Sequence, residues 1–65
     1  MERTKIKYEY ENGKYAFAYA ELEFVDGYAW LKDNDYVWIF DKKDSEYGNT
    51  ILGSQIVKIY KKKGA

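Results

Sequence analysis

The stretch ENGKYAFAYAELEFVDG, residues 11–27, decides how this chain folds. It opens on Asn12-Gly13 and closes on Asp26-Gly27, dipeptides that tolerate the backbone of tight hairpin turns. Its odd positions carry Tyr15, Phe17 and Tyr19, and its even positions carry Ala16, Ala18, Ala20, Leu22 and Phe24. A strand with one wet face alternates apolar and polar residues. The first half of this segment is apolar on both faces. We expect one long strand, to about Val25, that serves two halves of a small coiled barrel. A bend or bulge between Ala18 and Leu22 then switches the inward face. On that reading Tyr15, Phe17 and Tyr19 pack over one half, while Leu22 and Phe24 enter the other. The alanines give room where the wall folds close. The alternative is a flat hairpin whose aromatic face lies on a partner chain.

Working outward, RTKIKYEY (residues 3–10) alternates strictly, with Thr4, Ile6, Tyr8 and Tyr10 on one face and Lys5, Lys7 and Glu9 on the other. That is the pattern of a half-buried strand. YAWLK (28–32) reads as a third strand, DND (33–35) as a polar connection and YVWIFD (36–41) as a fourth strand. KKDSEYGN (42–49) is a polar loop, and ILGSQ (51–55) is too short for an α-helix and reads as a 3₁₀-like turn. IVKIYKKK (56–63) is the last strand. Parity places Val37, Ile39, Val57 and Ile59 inward. It leaves Tyr28, Trp30, Tyr36, Trp38 and Phe40 as a partly exposed aromatic strip, stacked in cross-strand pairs.

At 65 residues the chain is one domain, residues 1–65, with a marginal core. It holds no Cys and no His, so disulfide and zinc-type staples are unavailable and aromatic packing must substitute. Eleven basic and eleven acidic residues cancel, which argues against a general attraction to polyanions. No apolar run nears the ~20 residues of a membrane span, and the first residues do not read as a secretory leader. The expectation is a soluble chain indifferent to redox compartment. The joint lack of Pro, Cys and His, beside Asn-Gly and Asp-Gly turns, looks like the product of a design procedure.

Three local matches resemble the small barrels of the SH3 class. KYEYE, with Tyr8, Glu9 and Tyr10, resembles the Ala-Leu-Tyr-Asp-Tyr stretch of that class. ELEFVDG, residues 21–27, resembles its diverging turn, and SQIVKI, residues 54–59, resembles its Ser-Asn-Tyr-Val stretch. The resemblance implies an all-β, five-stranded, strongly coiled antiparallel barrel, with an OB-like or other small barrel as the alternative. It also implies an aromatic groove for proline-rich peptides, in which Tyr8 and Tyr10 match two groove tyrosines and either Trp38 or Tyr36 stands for the groove tryptophan. Leu52 stands where the class has a groove proline, and Ile56 where it has a tyrosine. NGKYAFAYA replaces the acidic specificity loop.

Few constellations carry chemistry. Without His or Cys, the commonest base and strongest nucleophile are missing. Glu21 and Glu23 share a strand face at about 7 Å, a spacing seen in acid–base pairs, but a solvated face is the simpler reading. Asp41, Asp44, Ser45 and Glu46 offer oxygens, interrupted by Lys42 and Lys43, and read as a polar turn. The best binding alternative is a basic stripe. Arg3, Lys5 and Lys7 share a face of the first strand, and Lys58, Tyr60 and Lys62 share a face of the last. Adjacent strands would make a single-stranded nucleic-acid surface, while exposed strand lysines also block edge pairing. The expectation is therefore an artificial scaffold without natural activity, no enzyme, no cofactor and no metal. A binding module for a peptide or single-stranded nucleic acid is the alternative. A monomer is expected, with a homodimer through the aromatic strip as the competing state.

Overall fold

The computed structural model describes residues 2–60. The elements are β1 (Glu2–Glu11), β2 (Lys14–Leu22), β3 (Phe24–Val25), β4 (Tyr28–Ala29), β5 (Tyr36–Phe40), β6 (Asn49–Leu52), a 3₁₀ turn (Gly53–Gln55) and β7 (Ile56–Tyr60). Five strands form one antiparallel sheet in the order β6-β5-β2-β1-β7, and β3 and β4 form a separate hairpin. The chain is all-β, as the alternation predicts. Among the described residues no ladder joins β6 to β7, so hydrogen bonds do not close the sheet into the expected barrel.

The two turns differ in chemistry. Asp26 and Gly27 both have positive φ, 53° and 83°, which suits a two-residue hairpin whose twist matches its strands. At the first turn only Gly13 is left-handed, with φ 78°. The β1–β2 register shifts there between Glu9 and Glu11, so the extra residue is absorbed in β1 beside the turn. Glu9 Oε2 accepts a hydrogen bond from the Gly13 amide at 2.8 Å and pins the turn.

The long central segment has no bulge and no change of inward face where the alanines suggest one. The β1–β2 ladder runs unbroken from Glu2↔Leu22 to Glu9↔Tyr15. Ala18, Ala20 and Leu22 are buried on one face throughout, and Phe24 packs against the same core beyond Glu23, where the strand breaks. The inward face never switches. Small inward residues leave volume for Ile6, Val37, Ile39 and Ile51, which meet Ala18, Ala20 and Leu22 in the core. Tyr15 and Phe17 are exposed instead of packing over half a barrel.

Three further expectations are corrected. The third strand is only Tyr28–Ala29, and it pairs with β3 because the Asp26-Gly27 turn folds it back locally. Trp30 N–H extends that hairpin by donating to Glu23 O at 2.7 Å. Asn49–Leu52 is a strand opposite β5, with Val37 facing Ile51, so the 3₁₀ turn is shorter than residues 51–55. Val57 points outward. The β1–β7 register moves from Lys7↔Lys58 to Tyr8↔Ile56, leaving Val57 as the bulged residue. Ile56 and Ile59, three apart, then both reach the core.

Local bonds fix the ends of these elements. Gly53 N–H donates to Asp35 O and Ser54 N–H to Asp33 O, at 2.8 and 2.9 Å, tying the 3₁₀ turn to the connection before β5. Gln55 accepts from Leu52 N–H at 2.8 Å and donates to Glu9 O at 3.0 Å, which holds the turn against the end of β1.

Candidate functional site

The outer face of β7, β1 and β2 answers why the long segment is apolar on both sides. In the β1–β2 register Lys5 lies opposite Tyr19, Lys7 opposite Phe17 and Glu9 opposite Tyr15. Each lysine reaches the diagonal ring: Lys5 Nζ lies 5.1 Å from the Phe17 centroid, and Lys7 Nζ lies 5.1 Å from that of Tyr15. Across β1–β7, Lys5 faces Tyr60 and Lys7 faces Lys58. Lys58 Nζ lies 5.0 Å from the Tyr60 ring, which also packs against Phe17 at 6.0 Å. Lysine stems cover apolar ring surface while their charges stay wet, and each ammonium gains from the ring face. The outer rings are thus partly screened without a second layer of protein, with Tyr15 and Phe17 still 49% and 59% exposed.

Arg3 departs from the expected stripe. Its Cζ lies 3.5 Å from the Phe40 centroid. Its Nη1 donates to Lys43 O and Ser45 O, both at 2.8 Å, and its Nε reaches Glu21 Oε2 at 3.4 Å. These are internal contacts, and they leave Phe40 only 7% exposed, unlike the rest of the aromatic strip. The structure therefore gathers Lys5, Lys7, Lys58 and Tyr60 on one surface and turns Arg3 to fastening the loop after β5. Lys62 lies outside the described residues.

Tyr8, Tyr10, Tyr36 and Trp38 are divided. Tyr8 packs against the core, with Tyr10 edge-on to it at 6.4 Å. Tyr36 and Trp38 lie on β5, opposite Leu52 and Thr50 of β6, and both are exposed. The strip forms no β4–β5 stack, because β4 pairs with β3: Tyr28 faces Val25. A cleft of about 260 Å³ takes in Tyr8, Ala18, Ile39, Phe40 and Tyr47, and contains neither Tyr36 nor Trp38.

The acidic candidates serve other ends. Glu21 meets Arg3, and Glu21 and Glu23 both line a smaller cleft of about 120 Å³ with Trp30, Asp35 and Tyr36. The segment holding Asp41, Asp44 and Glu46 is shaped by Ser45, whose Oγ accepts from Lys42 N–H at 3.1 Å, and by the two carbonyls that Arg3 binds. The roles of Tyr15 and Phe17 were legible only through register: once Asn12-Gly13 sets the pairing, odd positions of β2 face the lysines of β1. No family model, curated protein or solved structure matches this chain.

Proposed function

We propose that the chain is an artificial small β scaffold of SH3-like topology, its sheet not closed by hydrogen bonds among the described residues, with no natural biochemical activity and no catalytic role. The observation that carries this reading is how its polar outer residues are used. Arg3 stacks on Phe40 and binds two loop carbonyls, and Lys5, Lys7 and Lys58 lie over neighbouring rings. A ligand-reading surface keeps such groups free for its partner. The topology reading is supported by the strand order β6-β5-β2-β1-β7 and by the 3₁₀ turn between the last two strands. Fold alone licenses no activity. On this reading a proline-rich peptide binds no tighter than about millimolar, near −4 kcal/mol. NMR shifts at Tyr8, Tyr10 and Trp38 that saturate at micromolar peptide refute it.

The second reading is a surface for single-stranded nucleic acid. It is favoured by the placement of Lys5, Lys7 and Lys58 beside Tyr15, Phe17 and Tyr60, since such binders combine cationic tracks with stacking rings. An oligonucleotide titration at low salt separates the two. Binding that falls steeply as salt is added, and is lost in Lys7→Glu, decides for the nucleic-acid surface. The scaffold reading also carries a monomer, with Tyr36 and Trp38 exposed as structural rings. Light scattering that gives twice 7.7 kDa on dilution, reverting in Trp38→Lys, decides for a homodimer through that strip.

A further inference from the structure

We infer that the cleft between the splayed ends of β2 and β5 binds small quaternary-ammonium cations. The β2–β5 ladder consists of Tyr19↔Phe40 and Ala20↔Ile39. Continuing that register would set Leu22 opposite Val37 and Glu23 opposite Tyr36. The strands part instead, because the chain leaves β2 at Glu23 to form the β3–β4 hairpin. The parted ends enclose a cleft of about 120 Å³. That is well below the ~300–1,000 Å³ of drug-sized sites, so its occupant is small.

Its lining sets the chemistry. Trp30 and Tyr36, 66% and 76% exposed, line it together with Leu22, Leu31 and Val37. Glu21, Glu23 and Asp35 also line it, and no described lining residue is basic. Arg3 engages Glu21, so Glu23 and Asp35 are the lining carboxylates that pair with no described basic residue. Aromatic faces and carboxylates both favour a cation, and quaternary ammonium groups are the class that aromatic walls recognise best. A compact ammonium is held strongly by water, and a half-open cleft repays little of that hydration. A methylated head is less strongly hydrated and loses less on entering beside the rings. A divalent metal wants six or more oxygens around it, and no group of three or more acidic residues among those described is arranged to hold one. This inference does not depend on whether the chain is a scaffold.

The test uses the full chain and choline chloride at matched ionic strength, followed by tryptophan fluorescence and amide NMR. The comparison ligand is 3,3-dimethylbutan-1-ol, the uncharged carbon isostere. Choline is expected to give saturable shifts at Trp30, Leu31 and Tyr36, and to bind about tenfold tighter than the isostere. Asp35→Asn weakens binding severalfold, Trp30→Ala removes it, and Trp38→Ala, outside the cleft, leaves it unchanged. Should Trp30→Ala disturb the fold, Asp35→Asn and the isostere comparison still decide the question. Equal binding of the isostere, an unsaturated response at Trp30, or choline binding unaffected by Asp35→Asn overturns the inference.

Discussion

The Arg3 guanidinium carbon sits 3.5 Å from the centre of the Phe40 ring, and the same group donates to two carbonyls of the loop that follows Phe40. A residue near the start of β1 thereby fastens the connection between β5 and β6. The planar fork can stack and donate at once, which an ammonium cannot do. Arg3→Ala is expected to lower stability by about 2–3 kcal/mol, from the lost stack and charge-assisted bonds. Glu21→Gln should cost less than about 1 kcal/mol, because that ion pair is long and partly wet. Urea unfolding of both variants checks this, and equal losses would contradict it.

Thr4 is 7% exposed on the inner face of β1, and its hydroxyl has no hydrogen-bond partner in the described structure. An unmet buried hydroxyl carries a desolvation cost, while valine has the same branching and strand preference. Thr4→Val is expected to raise stability by about 1 kcal/mol. A shift of the urea midpoint to lower concentration at unchanged slope counts against the burial argument.

Gly48 and Gly13 resist substitution for different reasons. A Cβ on Gly48 would collide with the Ile39 carbonyl and come within 2.7 Å of the Phe40 ring. Around Gly13 nothing lies within 4 Å, but its φ is +78°. Gly48→Ala should cost about 1–3 kcal/mol through overpacking, and Gly13→Ala about 1 kcal/mol through backbone strain alone. Gly13→Asn separates the causes: asparagine tolerates the left-handed region and should recover much of that loss. Gly48→Asn should be at least as damaging as Gly48→Ala. Thermal unfolding of the four variants gives the ranking.

Val57 stands outside the β1–β7 pairing and is 50% exposed. Val57→Lys is expected to change stability by no more than about 0.5 kcal/mol. Ile59→Ala, at a partly buried position against the core, should cost about 1–2 kcal/mol, the low end for a large-to-small change. If Val57→Lys proves the more damaging of the two, Val57 belongs inside and the bulge is misplaced.

Local pattern alone determined the strand character of β1, β2 and β5, both turns, and the inward set of Ile6, Val37 and Ile39. Alternation and turn dipeptides act over a few residues, so they are visible without the rest of the chain. Long-range pairing decided the remainder. The alanines of β2 suggested a kink; the structure shows an unbroken ladder with one buried face, and lysines of β1 lie over the rings of the other. That cover depends on register with another strand. Ile56 and Ile59 reach the core together only because Val57 is bulged against β1, a one-residue shift that inverts the parity read from sequence. Arg3 looked like part of a basic stripe, but the two carbonyls it binds lie 40 and 42 residues further along the chain. The cleft beside Trp30 and Tyr36 exists only because β2 and β5 part after Ala20 and Ile39. Such contacts join distant segments through packing and hydrogen-bond geometry, which no local pattern encodes.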